Sequence, residues 1–263
     1  MKTRIFSTAA RLLIIFSGMS FIQNNSKPLL KEEIVTYTAY GLTLKGFVVY
    51  NENITVKRPS ILVVPEWWGL NDYAKSRVRQ LALFGYIAMA VDMYGEGKTA
   101  ANPQEAQELA TPFYKDPQLA KTRLEAALNK IKEYKQTDVN YIVAIGYCFG
   151  GSVVLNSAKL GLNFKGVVSF HGGLAGVPAW KELLKSSILV CHGEADKFVS
   201  DQDVESFKHV MDSIGANSLL NRTQMLRLDL QIPMLPMLAS NLICQLNIML
   251  LLIKHPGAIC KTF

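Results

Sequence analysis

The chain has 263 residues, of which 49% are hydrophobic and 19% charged, with a formal charge of +7; once a leader is set aside, that length suits a single α/β domain with a sizeable core. The positive charge is not spread over the domain: residues 1–20 carry Lys2, Arg4 and Arg11, and residues 219–263 carry Arg222, Arg227, Lys254 and Lys261 against Asp229, which leaves +1 for everything between. A near-neutral body excludes a nucleic-acid footprint, and the four cysteines, Cys148, Cys191, Cys244 and Cys260, show no paired spacing that would suggest a disulfide framework or a zinc site.

Taken in chain order, residues 1–20 read as a Sec-type signal peptide: bases precede the apolar Leu12-Leu13-Ile14-Ile15-Phe16, and Gly18 and Ser20 offer a cleavage site. Export to the periplasm or the extracellular space is expected, with no stable membrane insertion, because that apolar core is too short to span a bilayer. Ile34–Tyr40 and Leu42–Tyr50 are β-rich runs separated by Gly41 and predict an antiparallel pair. Ile61–Val64 is a short continuous apolar run of the kind that forms a buried parallel strand. Leu70–Phe84 is predicted helical, Tyr86–Val91 is the next strand, and Pro103–Phe113 and Pro117–Tyr134 are two helices, each opening on proline. After a strand at Tyr141–Ile145 come a helix from Ser152, strand Gly166–Phe170, a Gly-rich loop, strand Ile188–His192 and helix Asp201–Ile214. Strands alternating with helices predict a mostly parallel sheet covered on both faces.

The chemistry is concentrated in Gly146-Tyr147-Cys148-Phe149-Gly150-Gly151. A nucleophile between glycines, on the turn from a strand to a helix, is the nucleophile-elbow pattern with cysteine in place of serine. The glycines allow a sharp turn and a close approach of strand and helix. A thiol held there points off the sheet at a helix N-terminus, where the dipole and free N–H groups favour thiolate. Cys191, in the apolar Ile188-Leu189-Val190-Cys191, reads as core.

Three motifs in order, Pro65-Glu66-Trp67-Trp68-Gly69-Leu70, Gly146-Tyr147-Cys148-Phe149-Gly150-Gly151 and His192-Gly193-Glu194-Ala195-Asp196, give the chain a resemblance to the dienelactone hydrolase family of α/β-hydrolases, running from about Glu33 to about Ser218. The resemblance implies an α/β-hydrolase fold and a carboxymethylenebutenolidase-like hydrolysis of a small-molecule ester or lactone through an acyl-enzyme, without cofactor or metal. It implies Cys148 as nucleophile and Asp196 as the acid of the triad. It implies the backbone N–H groups of Phe149 and Trp67 as the oxyanion donors, and Glu66 as the residue that contacts the resting thiol and helps to ionise it. One departure concerns the substrate: Asp92-Met93-Tyr94 is followed by Gly95-Glu96-Gly97-Lys98, with no arginine for a substrate carboxylate, and Lys98 is only a point-charge substitute.

A second departure concerns the base. The family's histidine falls about thirty residues after the acid, near Met225–Asp229, and no histidine lies between His209 and His255. His209 reads as an exposed helix residue and His192 as the structural end of a strand. His171, at a strand end, could face the pocket, although the family does not use it as base. The expectation is weak or no hydrolase activity for this chain, with a catalytically impaired binding protein on the same fold as the alternative. Residues 219–263, which hold twelve Leu, four Met and one acid, carry no period that fits the family's last strand and helix. They predict an aberrant tail from a shift of reading frame near codons 219–222. Within it, Ile232–Ile253 has the length of a membrane span, but Pro233, Pro236, Asn241, Gln245 and Asn247 argue against one.

Overall fold

The computed structural model describes residues 27–193, 196 and 198–223. The signal peptide over residues 1–20, the tail beyond Thr223 and its Ile232–Ile253 segment lie outside the described residues. The elements are β1 (Leu30–Ala39), β2 (Leu42–Asn51), β3 (Arg58–Val64), α1 (Asp72–Leu83), β4 (Ile87–Ala90), α2 (Pro103–Lys115), α3 (Pro117–Lys132), β5 (Thr137–Tyr147), α4 (Phe149–Lys159), β6 (Gly166–Phe170), β7 (Ser187–Gly193), α5 (Asp201–Ser213) and β8 (Ser218–Thr223).

They build one eight-stranded sheet in the order β1-β2-β4-β3-β5-β6-β7-β8. Only β1 with β2 and β2 with β4 are antiparallel; the other neighbours run parallel. Strand alternation sends Leu62, Val64, Ile142, Ala144 and Val190 to the face packed by α3, α4 and α5, and Ile61, Val63, Val143, Ile145 and Leu189 to the face that α1 covers with Ala74, Val78 and Leu81. Four of the five described helices start where a side chain satisfies their free N–H groups, α4 with Cys148 as its N-cap being the exception. Asn71, Asn102 and Asp116 accept from the first turns of α1, α2 and α3, and Ser200 and Asp203 form a capping box on α5.

Among the boundaries that differ from expectation, two have a plain physical reason. β5 begins at Thr137, four residues before the apolar run, because its polar start is paired: Arg58 lies opposite Thr137 in the register, and Ser60 Oγ donates to Thr137 Oγ1 at 3.0 Å inside the protein. The second is at the sheet edge, where the sequence predicts no strand past Ser218. β8 pairs with β7 from Ser218 to Thr223, so the sheet continues five residues into the segment set aside as tail. Among the described residues no helix is long and apolar enough to cross a membrane.

Candidate active site

The parallel strands deliver their C-terminal ends to one edge of the sheet, and the residues singled out in the sequence meet there. Cys148 ends β5 in a conformation that non-glycine residues seldom adopt, φ 51° and ψ −116°, and it is the N-cap of α4. Such a backbone is held only when its surroundings over-determine it, at a cost of about 1–3 kcal/mol. The surroundings are glycine. A Cβ on Gly146 would collide with the main chain of Gly150, and one on Gly150 with the carbonyls of Val64 and Pro65. The elbow is thereby pressed against the turn that carries Glu66 and Trp67.

On its other side the elbow leans on the end of β6. The Cys148 N–H donates to the Phe170 carbonyl at 2.9 Å. A Cβ on Gly151 would stand 2.6 Å from Ser169 Oγ and 2.9 Å from Gly172 Cα, so helix and loop touch backbone to backbone. His171 sits between these contacts at φ 41°. Its Nε2 faces Glu66 Oε1 at 3.8 Å and is buried without a hydrogen-bond partner.

Asp196 closes the group from the loop after β7. One oxygen accepts from the Phe198 N–H at 2.8 Å, the turn role an aspartate takes in a loop, while the other lies 4.0 Å from His192 Nδ1. Its side chain is only 4% exposed. Cys148, Glu66, Asp196, Trp67 and Phe149 are therefore brought to one end of the sheet, and Lys98 stays exposed to solvent.

The electrostatics correct one expectation. The Phe149 N–H at the head of α4 does donate to the thiol and favours thiolate, but desolvation outweighs it, and Glu66 and Asp196 add repulsion, so the Cys148 thiol is pushed above its ordinary value. The resting state is a thiol. Burial also raises the Glu66 carboxyl, which the nearby Arg77 guanidinium partly offsets.

The sequence profile of the dienelactone hydrolase family matches residues 44–221, which span the sheet from β2 into β8 and hold every residue of this group. The chain belongs to the dienelactone hydrolase family. It is 27% identical over 180 residues to Protein usf of Aquifex pyrophilus, covering 65% of this chain and 75% of that protein. It is likewise 27% identical over 182 residues to a protein of Aquifex aeolicus provisionally named a carboxymethylenebutenolidase, with the same coverage. Among solved structures, a dienelactone hydrolase-like promiscuous phosphotriesterase, P91, from metagenomic libraries superposes with a TM-score of 0.75 at 26% identity, over 82% of this chain and 97% of that one. The family is one of carboxymethylenebutenolidase-like hydrolases on the α/β-hydrolase fold.

Around this dienelactone hydrolase site stand five further residues to which the sequence assigned no role. Tyr94, on the loop after β4, donates from its hydroxyl to the Trp67 carbonyl at 2.8 Å. That loop is gathered by the buried Asp92, whose oxygens accept from the N–H groups of Lys45, Tyr94, Gly95 and Gly97. Tyr114 and Phe113 of α2 pack on Phe149 at 5.5 and 5.8 Å between ring centroids. Arg77 is buried in α1, stacked over Tyr73, with its guanidinium donating to Gln80 and Tyr73 and its charge acting on Glu66. Of these, only the Asp92-Met93-Tyr94 motif left a sequence signal; Arg77 reads as an ordinary helix-surface cation. A separate cavity of about 700 Å³ opens at the opposite ends of the strands, lined by Lys132, Asn140, Asn163, Lys165, Ser187 and Asn217, and is remote from Cys148.

Proposed function

We propose that the chain hydrolyses carboxylic esters or lactones through Cys148, by way of an acyl-enzyme that water resolves. The observation that carries this reading is the strained elbow: a solvent-accessible sulfur at the first turn of α4, with the Phe149 N–H already directed at it. A carbonyl placed against that sulfur would put its oxygen beside the N–H groups of Phe149 and Trp67, donors fixed before charge develops, which is the arrangement that stabilises a tetrahedral oxyanion. Asp196 and Glu66 are the acids within electrostatic reach of the sulfur. The groups coupled electrostatically to the thiol include two carboxylates and the phenols of Tyr94 and Tyr114, so neutral esters with apolar or aromatic parts suit it better than carboxylate-bearing lactones. The neutral triester substrates implied by the name of the P91 neighbour are worth including as probes.

The test is the rate of phenyl acetate hydrolysis by the chain and by Cys148→Ala. Loss of a nucleophile costs on the order of a millionfold in turnover in a serine enzyme, so the variant should fall to the uncatalysed background. Equal rates in the two proteins would overturn the reading in favour of a binding protein on a hydrolase fold.

A further inference from the structure

We propose that His171 is the proton acceptor for Cys148, filling the place of the histidine that the chain does not carry near Met225–Asp229. The inference rests on the thiol being the nucleophile, as argued above. It starts from chemistry: a thiol that is un-ionised at rest needs a base within reach, and the base needs a group to stabilise its charged form.

Three histidines are among the described residues. His209 is exposed on α5, on a helix surface. His192 lies within β7 with a side chain only 5% exposed. His171 alone stands at a strand end beside the elbow. Its neighbour Phe170 accepts the Cys148 N–H, and Gly172 lies against Gly151, where a Cβ would be 2.6 Å from the Gly151 carbonyl carbon. Ser152 Oγ accepts from the Gly173 N–H at 2.9 Å, fixing the loop onward. The backbone at His171 is therefore held from both sides by its neighbours' contacts to the same turn that presents the sulfur, at a φ of 41° that only over-determined surroundings maintain.

The titratable groups around the ring are Glu66 from the turn after β3, His192 from β7 and Asp196 from the following loop, and two of these, Glu66 and Asp196, act on the Cys148 thiol as well. Burial holds the His171 pKa below the ordinary value, Asp196 pulling it up and His192 pushing it down, so the ring is unprotonated at neutral pH and free to accept. The Nε2 of His171, like the Nδ1 of His192, is buried without a hydrogen-bond partner, and of the two residues His171 is the one whose chain neighbours contact the elbow.

In the step this permits, the Cys148 S–H proton passes to His171 as the sulfur bonds to the ester carbonyl carbon and the carbonyl π electrons move to oxygen. Collapse breaks the bond to the leaving alkoxide, which takes the proton from the imidazolium and departs as alcohol. Water then adds to the thioester carbonyl, giving its proton to His171. Collapse expels the sulfur, which recovers that proton as thiol, and the carboxylic acid leaves.

The test uses two variants that keep the left-handed backbone: His171→Asn, because asparagine tolerates that region, and His171→Gly, which occupies it freely. General-base catalysis contributes roughly 10²–10⁴-fold, so kcat/KM for phenyl acetate should fall by about that factor in both, the acid limb of the pH profile should vanish, and added imidazole should restore part of the rate to His171→Gly. Near-UV circular dichroism identical to the parent shows that the fold is intact. If folded His171→Asn keeps the parent rate and pH profile while Cys148→Ala is inactive, the assignment of His171 is overturned and the thiol nucleophile stands. If Cys148→Ala keeps the parent rate, the hydrolase reading itself falls.

Discussion

The hydroxyl of Tyr94 donates to the main-chain carbonyl of Trp67 at 2.8 Å, so a residue from the loop after β4 ties down the peptide that directly follows the proposed oxyanion donor, the Trp67 N–H. Removing that hydroxyl leaves the ring in its packing against Phe113 and Phe149 and frees the turn. A single hydrogen bond contributes about 0.5–1.5 kcal/mol net, and about 1.4 kcal/mol is a factor of ten in rate. Tyr94→Phe should therefore lower kcat for phenyl acetate about three- to tenfold with KM nearly unchanged. A fall in KM affinity with kcat intact would place Tyr94 in substrate binding instead.

Gly150 lies against the carbonyls of Val64 and Pro65, backbone that cannot swing aside as a side chain would. Gly150→Ala must push α4 away from the end of β3, and overpacking of that kind costs about 1–3 kcal/mol. For a domain of this size the melting temperature should drop by about 2–10 °C. The rate should suffer more than the stability, because the displaced turn carries both Cys148 and Phe149. Calorimetry and steady-state kinetics on the same preparation separate the two effects, and an unchanged melt would show that the elbow has room to spare.

The elbow was legible because its glycines are a local requirement: Gly146 and Gly150, with Cys148 midway between them, mark a close approach where a strand turns sharply into a helix. The strands were legible where burial on both faces leaves an unbroken apolar run, as in Ile61–Val64 and Ile188–Cys191. The first four residues of β5 were not, since Thr137 is held by a buried polar pairing with Ser60 that no hydropathy pattern records. Most of the site's supporting groups were hidden for the same reason. Arg77 acts on the charge of Glu66 from a helix, Tyr94 reaches Trp67 from a loop, and His171 meets Glu66 and the field of Asp196 only once strands β3, β6 and β7 are ordered in the sheet. The edge strand β8 escaped because Leu219 and Leu220 are followed by Asn221 and Arg222, an apolar pair too short to show a period.

The charge on Glu66 raises the Cys148 thiol, as does desolvation, which is the larger cause. Alkylation by iodoacetamide proceeds through the thiolate, so at pH 7 it should run slower than for a thiol of ordinary pKa and should climb through the alkaline range. Glu66→Gln removes one repulsive charge. The thiolate then forms at lower pH, and alkylation at pH 7 should quicken several-fold. Mass spectrometry of the alkylated chain distinguishes Cys148 from the buried Cys191. A slower reaction in Glu66→Gln would mean that the carboxylate takes the thiol proton at rest instead of opposing its loss.

Lys159, on the last turn of α4, is buried with its Nζ 3.2 Å from the Leu174 carbonyl and 5.7 Å from the centre of the Phe207 ring. Burial lowers its pKa from 10.5 to about 8. Below pH 8 the lysine is charged in both the folded and the unfolded chain, and folding bears the full cost of desolvating the charge. Between about 8 and 10.5 the unfolded chain holds the proton more tightly, so this group's contribution to stability rises with pH across that window. Lys159→Met keeps the length of the side chain and removes the charge at the loss of one hydrogen bond, so at pH 7 it should stabilise the fold by about 2 kcal/mol. That advantage should shrink steadily as pH rises from 8 to 10.5. Comparing urea unfolding of the two proteins at pH 7 and pH 10 cancels the titration of the tyrosines common to both. A variant that is less stable at pH 7, or an advantage independent of pH, would show that the ammonium is held charged by its carbonyl and the Phe207 ring at no net cost.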